Sequence, residues 1–198
     1  EAVPSRQFDI SKIDFDLLSR EFAHTRRKNL LLRDLDELVN QQLAKMLFAN
    51  PHRMDYYDRY QEIIDAYNAE QNRATIEKTF MDLMELANSL DTEQQRYVRE
   101  GFSSDEELSV YDLLFSENLT KQEIETIKKV SVDLLTKIKQ QIAKLDHWTD
   151  KQETKAIVDN LIRNTLWQEL PNSYDVSDIQ TYQKKIYEYV YMRYPEVA

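Results

Sequence analysis

The sequence predicts an all-α protein, an irregular bundle of about eight to nine helices with no sheet. Three observations predict it. The chain of 198 residues holds a single glycine, where average usage would give roughly 14. One glycine and four prolines cannot supply the turns of a β sandwich or barrel. Apolar residues recur at the helical spacing through most of the chain, with 41% hydrophobic against 31% charged residues, enough for a packed core.

The elements follow in order. Ser11 with Asp14 has the pattern of a capping box, and Ile13, Phe15, Leu18 and Phe22 extend it into a helix over 11–24. Leu31, Leu35, Leu38, Val39, Leu43, Met46 and Leu47 fall on one stripe and predict a helix over 30–49. Asn50-Pro51 stops it, because proline disfavours a helical residue before it. Met54, Tyr57, Tyr60, Ile63, Ile64 and Tyr67 give a third stripe. Ile76, Phe80, Leu83, Met84, Ala87 and Leu90 give a fourth. Thr92 is expected to open a short helix that ends at Gly101, a natural C-cap. Ser104 with Glu107 begins the next, carrying Leu108, Tyr111, Leu114 and Phe115. Thr120 with Glu123 caps the longest, whose Ile124, Ile127, Ser131, Leu134, Ile138 and Ile142 run to about 145. Ile157, Leu161, Ile162 and Leu166 mark a helix over 150–170, ended by Pro171. Ile179, Tyr182, Ile186 and Val190 mark the last, over 177–194. Trp148 and Trp167 are expected in or near the core as large rings plugging helix ends.

The same counts exclude several chemistries. Without cysteine there are no disulfides, thiolate zinc sites or cysteine nucleophiles. With one glycine there is no phosphate-cradling loop. The net charge of −10 argues against a dedicated nucleic-acid module. Nearly all of that excess lies in 82–125, with 12 acidic and 3 basic residues. Such a stretch is either a solvated helical face or a surface for a basic partner. No apolar run approaches the roughly 18 residues of a membrane span, and no signal peptide is visible. Residues 1–10 read as a linker in a longer polypeptide, and 11–198 as one helical domain with a possible sub-boundary near 101–105.

Few constellations suggest chemistry. Glu21 and His24 have the Glu-x-x-His spacing of bundle metal sites, but the other histidines lack such a partner, so an ordinary helix surface is the expectation. Glu153-Thr154-Lys155 matches part of a nuclease motif whose carboxylates hold a metal, yet it falls in a helix's first turn with no strand to host it. No residue is therefore assigned a catalytic, cofactor-binding or metal-binding role. Interaction residues are the better candidates. His24, Arg26, Arg27, Lys28 and Arg33 form a basic cluster suited to phosphates or an acidic partner. Tyr187, Tyr191 and Tyr194 lie in a tyrosine-dense end, and exposed tyrosines there would favour an interface.

The order of several phrases resembles the C-terminal helical domain of the restriction (R, HsdR) subunit of type I restriction–modification enzymes. Leu18-Ser19-Arg20-Glu21-Phe22 is similar to its entry helix. Asn50-Pro51-His52-Arg53 resembles its Asn-Pro-x-Arg break, and Tyr60-Gln61-Glu62-Ile63-Ile64 its next helix. Arg99-Glu100-Gly101-Phe102 with Tyr111-Asp112-Leu113-Leu114 looks like its central phrase. Trp148, Thr154, Leu170-Pro171 and Tyr174 complete it. The resemblance implies a cytoplasmic parent that is an ATP-dependent DNA translocase and endonuclease, with ATP and magnesium used by upstream motor and nuclease domains and no cofactor in this piece. It implies an assembly module that packs on its own motor domains, docks on the methyltransferase and specificity subunits, and meets DNA only through the complex. The alternative is an unrelated all-helical adaptor or scaffold.

Overall fold

A computed structural model describes residues 14–195. Among them are nine α-helices and one 3₁₀ turn, with no strand. The helices are α1 (Phe15–His24), α2 (Lys28–Ala49), α3 (Met54–Ala69), α4 (Arg73–Gln94), α5 (Arg96–Arg99), α6 (Asp105–Leu114), α7 (Lys121–Ile142), α8 (Gln152–Glu169) and α9 (Val176–Arg193). The chain divides into two compact units between Arg96 and Tyr97, inside α5. The expected linker 1–10, and Ser11 of the expected capping box, lie outside the described residues. Within them Asp14 caps α1, accepting the Leu17 N–H at 2.9 Å.

In the first unit α4 is the central element and packs on both α2 and α3. Leu35, Val39, Leu43, Phe80, Leu83, Leu86 and Leu90 are buried together. Phe22 of α1 stacks face to face on Phe80 of α4, with ring centroids 3.7 Å apart. Polar links stitch the same helices. Tyr60 donates to Asp36 at 2.8 Å, and the Gln94 amide donates to Gln42 at 2.8 Å. The Asn50-Pro51 break places Arg53 inside, where its Nε lies 3.1 Å from Glu93 at the end of α4.

In the second unit α6, α7, α8 and α9 pack in a ring, each on the next, with α9 returning to α6. Leu108, Leu114, Ile127, Leu134, Ile138, Val158, Ile162, Leu166, Ile186 and Val190 form its core. The caps sharpen the helix starts. Thr120 and Glu123 make a full capping box on α7, as the sequence predicts, and Asp175 with Asp178 makes a second on α9. Gly101 sits at φ +85°, with Phe102 N–H bonded to the Tyr97 carbonyl and Gly101 N–H to that of Val98. That bond pair is a Schellman closure of α5. Tyr174 donates to the Leu114 carbonyl at 2.6 Å and satisfies the end of α6.

Three sequence expectations are corrected. Thr92 does not open a helix. Its hydroxyl donates to the Asn88 carbonyl four residues back, which places it inside α4. Ile157 is exposed and Val158 is buried in its place, because the inward stripe of α8 runs one residue later. Trp148 is buried at 1% exposure, whereas Trp167 is 50% exposed, one residue round the helix from buried Leu166.

Candidate interaction site

The tyrosine-rich end of α9 is built on Trp148. That indole sits in the turn between α7 and α8, fully buried, and donates its N–H to the Tyr194 carbonyl at 2.6 Å. Tyr187 and Tyr191, one turn apart on α9, meet Trp148 edge-on at centroid distances of 6.2 and 5.7 Å. Such edge contacts suit the ring quadrupoles. Tyr187 is half-buried and Tyr191 is 39% exposed. Lys155 of α8 reaches across to the Tyr191 ring, 5.7 Å from its centroid. Met192 beside it is 77% exposed. The result is a seam along α8 and α9 in which rigid aromatic surface reaches solvent from a fixed base.

Tyr194 has a different place from its two neighbours. It is half-buried, with its ring edge-on to buried Tyr189. Burial pushes its phenol up, with Tyr189 and Glu106 adding to the effect. Glu106 of α6 gathers Lys139 of α7 and Arg193 of α9 around its carboxylate. Burial alone would raise this carboxyl, but Lys139, Tyr194 and Arg193 outweigh it and hold it below the usual carboxylate range. Tyr194 thus anchors the end of α9, while Tyr191 faces outward.

The basic cluster lies at the α1–α2 junction of the first unit. Arg26 and Arg27 are exposed. Lys28 is turned inward, 2.7 Å from Glu77 and 4.9 Å over the Phe22 ring. Arg33 is on the outer side of α2, its side chain 71% exposed and 3.6 Å from Asp34. His24 is exposed at the end of α1. The cluster therefore has fewer outward charges than the sequence suggests, since Lys28 is committed to the interior.

Part of the acidic stretch is spent on internal partners. Glu93 pairs with Arg53 and Arg96, Glu100 with Lys128, and Glu106 with Lys139 and Arg193. Glu123 caps α7. The Glu153-Thr154-Lys155 tripeptide has structural work as well. Thr154 donates to the Trp148 carbonyl at 2.7 Å, and Lys155 covers Tyr191. Among the described residues no three His, Asp or Glu side chains converge as metal ligands. No described helix is long and apolar enough to cross a membrane.

Sequence reasoning missed the Lys155–Tyr191 contact and the buried Arg53–Glu93 pair. For the second a signal existed in the Asn50-Pro51-His52-Arg53 phrase, whose arginine follows a helix break. A family model for the C-terminal part of type I restriction enzyme HindI endonuclease subunit-like proteins matches residues 1–194. Comparisons with curated proteins and with solved structures gave no match.

Proposed function

The chain belongs to the type I restriction enzyme HindI endonuclease subunit-like C-terminal family, and from that premise we propose that it is the assembly module of a restriction subunit. Family membership replaces the reading as an unrelated adaptor. In this reading the domain packs on its own motor domains and docks on the methyltransferase and specificity subunits in the cytoplasm. DNA is met through the complex. ATP and magnesium belong to other domains of the parent, and this piece is not itself catalytic.

The observation that carries the reading is the α8–α9 seam. Tyr191 and Met192 are exposed, and Tyr191 is braced against a buried indole. A rigid aromatic loses little side-chain entropy on binding, and tyrosine is enriched among residues that dominate interface energies.

The test is titration of the purified chain against the methyltransferase–specificity core and, separately, against duplex DNA at about 0.15 M salt, where exposed charges are screened beyond roughly 8 Å. Binding to the core that weakens at least about tenfold in Tyr191→Ala, a loss of about 1.4 kcal/mol, supports the reading. Salt-resistant DNA binding without affinity for the core overturns it. Magnesium-dependent plasmid cleavage that Glu153→Ala abolishes would overturn the non-catalytic assignment.

A further inference from the structure

The α1–α2 junction combines charge and apolar surface on a fixed base. Leu30 and Leu31 form one wall of an open notch of about 430 Å³, completed by Glu21, His24, Thr25 and Arg27. Leu30 is 41% exposed. Arg26 adjoins the notch in sequence. Arg33 lies three residues beyond Leu30, on the same side of α2. Arg26 and Arg27 have no ion partner among the described residues, in a chain whose net charge is −10.

The backbone that presents these groups is held from behind. The Phe22–Phe80 stack pins the end of α1 to α4, and Lys28 clamps the start of α2 to Glu77. Arg27 is tied as well, its N–H donating to the Thr25 hydroxyl at 3.1 Å. Groups set on a preorganised backbone lose less freedom when they bind.

We propose that this notch docks an acidic, apolar-anchored segment of a protein partner: a short stretch with two or more Asp or Glu beside a Leu, Ile or Phe. Its carboxylates meet Arg26, Arg27 and Arg33, and its apolar residue covers Leu30. The apolar wall decides between two anionic classes. A nucleic-acid backbone offers phosphates but nothing to cover Leu30. An acidic peptide satisfies both halves of the surface. The proposal stands apart from the α8–α9 seam that carries the assembly reading, which lies in the other unit.

The test uses the full 198-residue chain and fluorescence anisotropy with three labelled probes. These are a short helical peptide of Glu and Leu, the same peptide with Gln for Glu, and a short DNA duplex. The Glu/Leu peptide should bind more tightly than the other two. The paired variant Arg26→Glu/Arg27→Glu should weaken it about tenfold, whereas Arg26→Lys/Arg27→Lys retains most of the affinity. Leu30→Gln should also weaken it. These side chains are exposed, so the thermal midpoint should hold and report that the fold is intact. Failure of the peptide to bind, or an affinity untouched by charge reversal, overturns the proposal. A duplex bound more tightly than the peptide, and released by the same reversal, would make the notch a phosphate surface instead.

Discussion

Trp148 and Tyr194 are joined by an indole N–H donated to a backbone carbonyl across 2.6 Å. The bond closes the C-terminal end of α9, whose last carbonyls have no partner within the helix. It also ties the turn after α7 to the far end of the chain. The ring is buried to 1% exposure, so its loss combines a cavity with a broken hydrogen bond. We expect Trp148→Ala to destabilise by about 3–5 kcal/mol, measured as a shift in the urea midpoint. Trp148→Phe should cost less, because it keeps most of the packing. Trp167→Ala should change stability by under about 0.5 kcal/mol. Iodide should quench only Trp167, and equal quenching of both indoles would contradict this placement.

Arg53 and Glu93 form an ion pair with side-chain exposures of 5% and 13%. Removing one partner leaves a buried charge, at about 3–5 kcal/mol. Arg96 still reaches Glu93 at 3.2 Å, so Arg53→Met should cost near the lower end, about 3 kcal/mol. The double variant Arg53→Met/Glu93→Leu should recover much of that loss. A double-mutant cycle in urea measures the coupling. A coupling near zero would show that the pair is spectator to the fold.

Acid should loosen the second unit through Glu106. Its carboxyl titrates below the ordinary value of 4.5 in the folded chain. A depressed folded value means the stabilisation is present above the unfolded value and is lost as pH falls through the folded one. Glu77 in the first unit and Glu123 in the second are shifted the same way, by Lys28 and by Thr120. Stability should therefore fall as pH drops below the ordinary carboxylate value of 4.5. Glu106→Gln should flatten that fall. A wild-type slope retained in the variant would remove Glu106 from the account.

Among the described residues two positions adopt positive φ. Gly101 at φ +85° has no atom within 4 Å of where a Cβ would stand, so Gly101→Ala pays only for backbone conformation, about 1 kcal/mol. His147 at φ 45° is the non-glycine case. There His147→Ile should cost about 1–2 kcal/mol, while His147→Asn should be nearly neutral, since asparagine tolerates this region. Thermal midpoints of the three variants check the order.

The helices were legible because their apolar stripes are long. Leu35, Val39 and Leu43, or Ile127, Leu134 and Ile138, fix a buried face by spacing alone. The failures are local ambiguities. Thr92 resembles an N-cap, but its hydroxyl is equally able to bond back to a helix carbonyl, and only packing of Leu90 with the first core decides. Ile157-Val158 offers two adjacent β-branched residues, and a phase shift of one residue selects the second. Trp167 is large and lies near a helix end, yet its neighbour Leu166 carries the buried stripe. At the candidate site the tyrosines were legible as a group. The division of labour between Tyr191 outward and Tyr194 inward depends on Trp148 and Glu106, which are distant in sequence.

Helix ends in this chain are made almost without glycine. Thr25, Asn50, Glu70, Phe115 and Leu170 close their helices in extended conformation, and Gly101 alone uses the left-handed route among glycines. The consequence falls on the denatured ensemble. Each glycine replaced by a residue with a side chain removes conformations the open chain would otherwise visit, worth about 0.4–1 kcal/mol where the native geometry permits it. A chain nearly free of glycine thus has less entropy to surrender on folding. It has also given up the most permissive joints by which short connections change direction, so inserting glycine at an exposed extended cap such as Glu70 should widen the unfolded state and weaken the fold without disturbing a buried side chain.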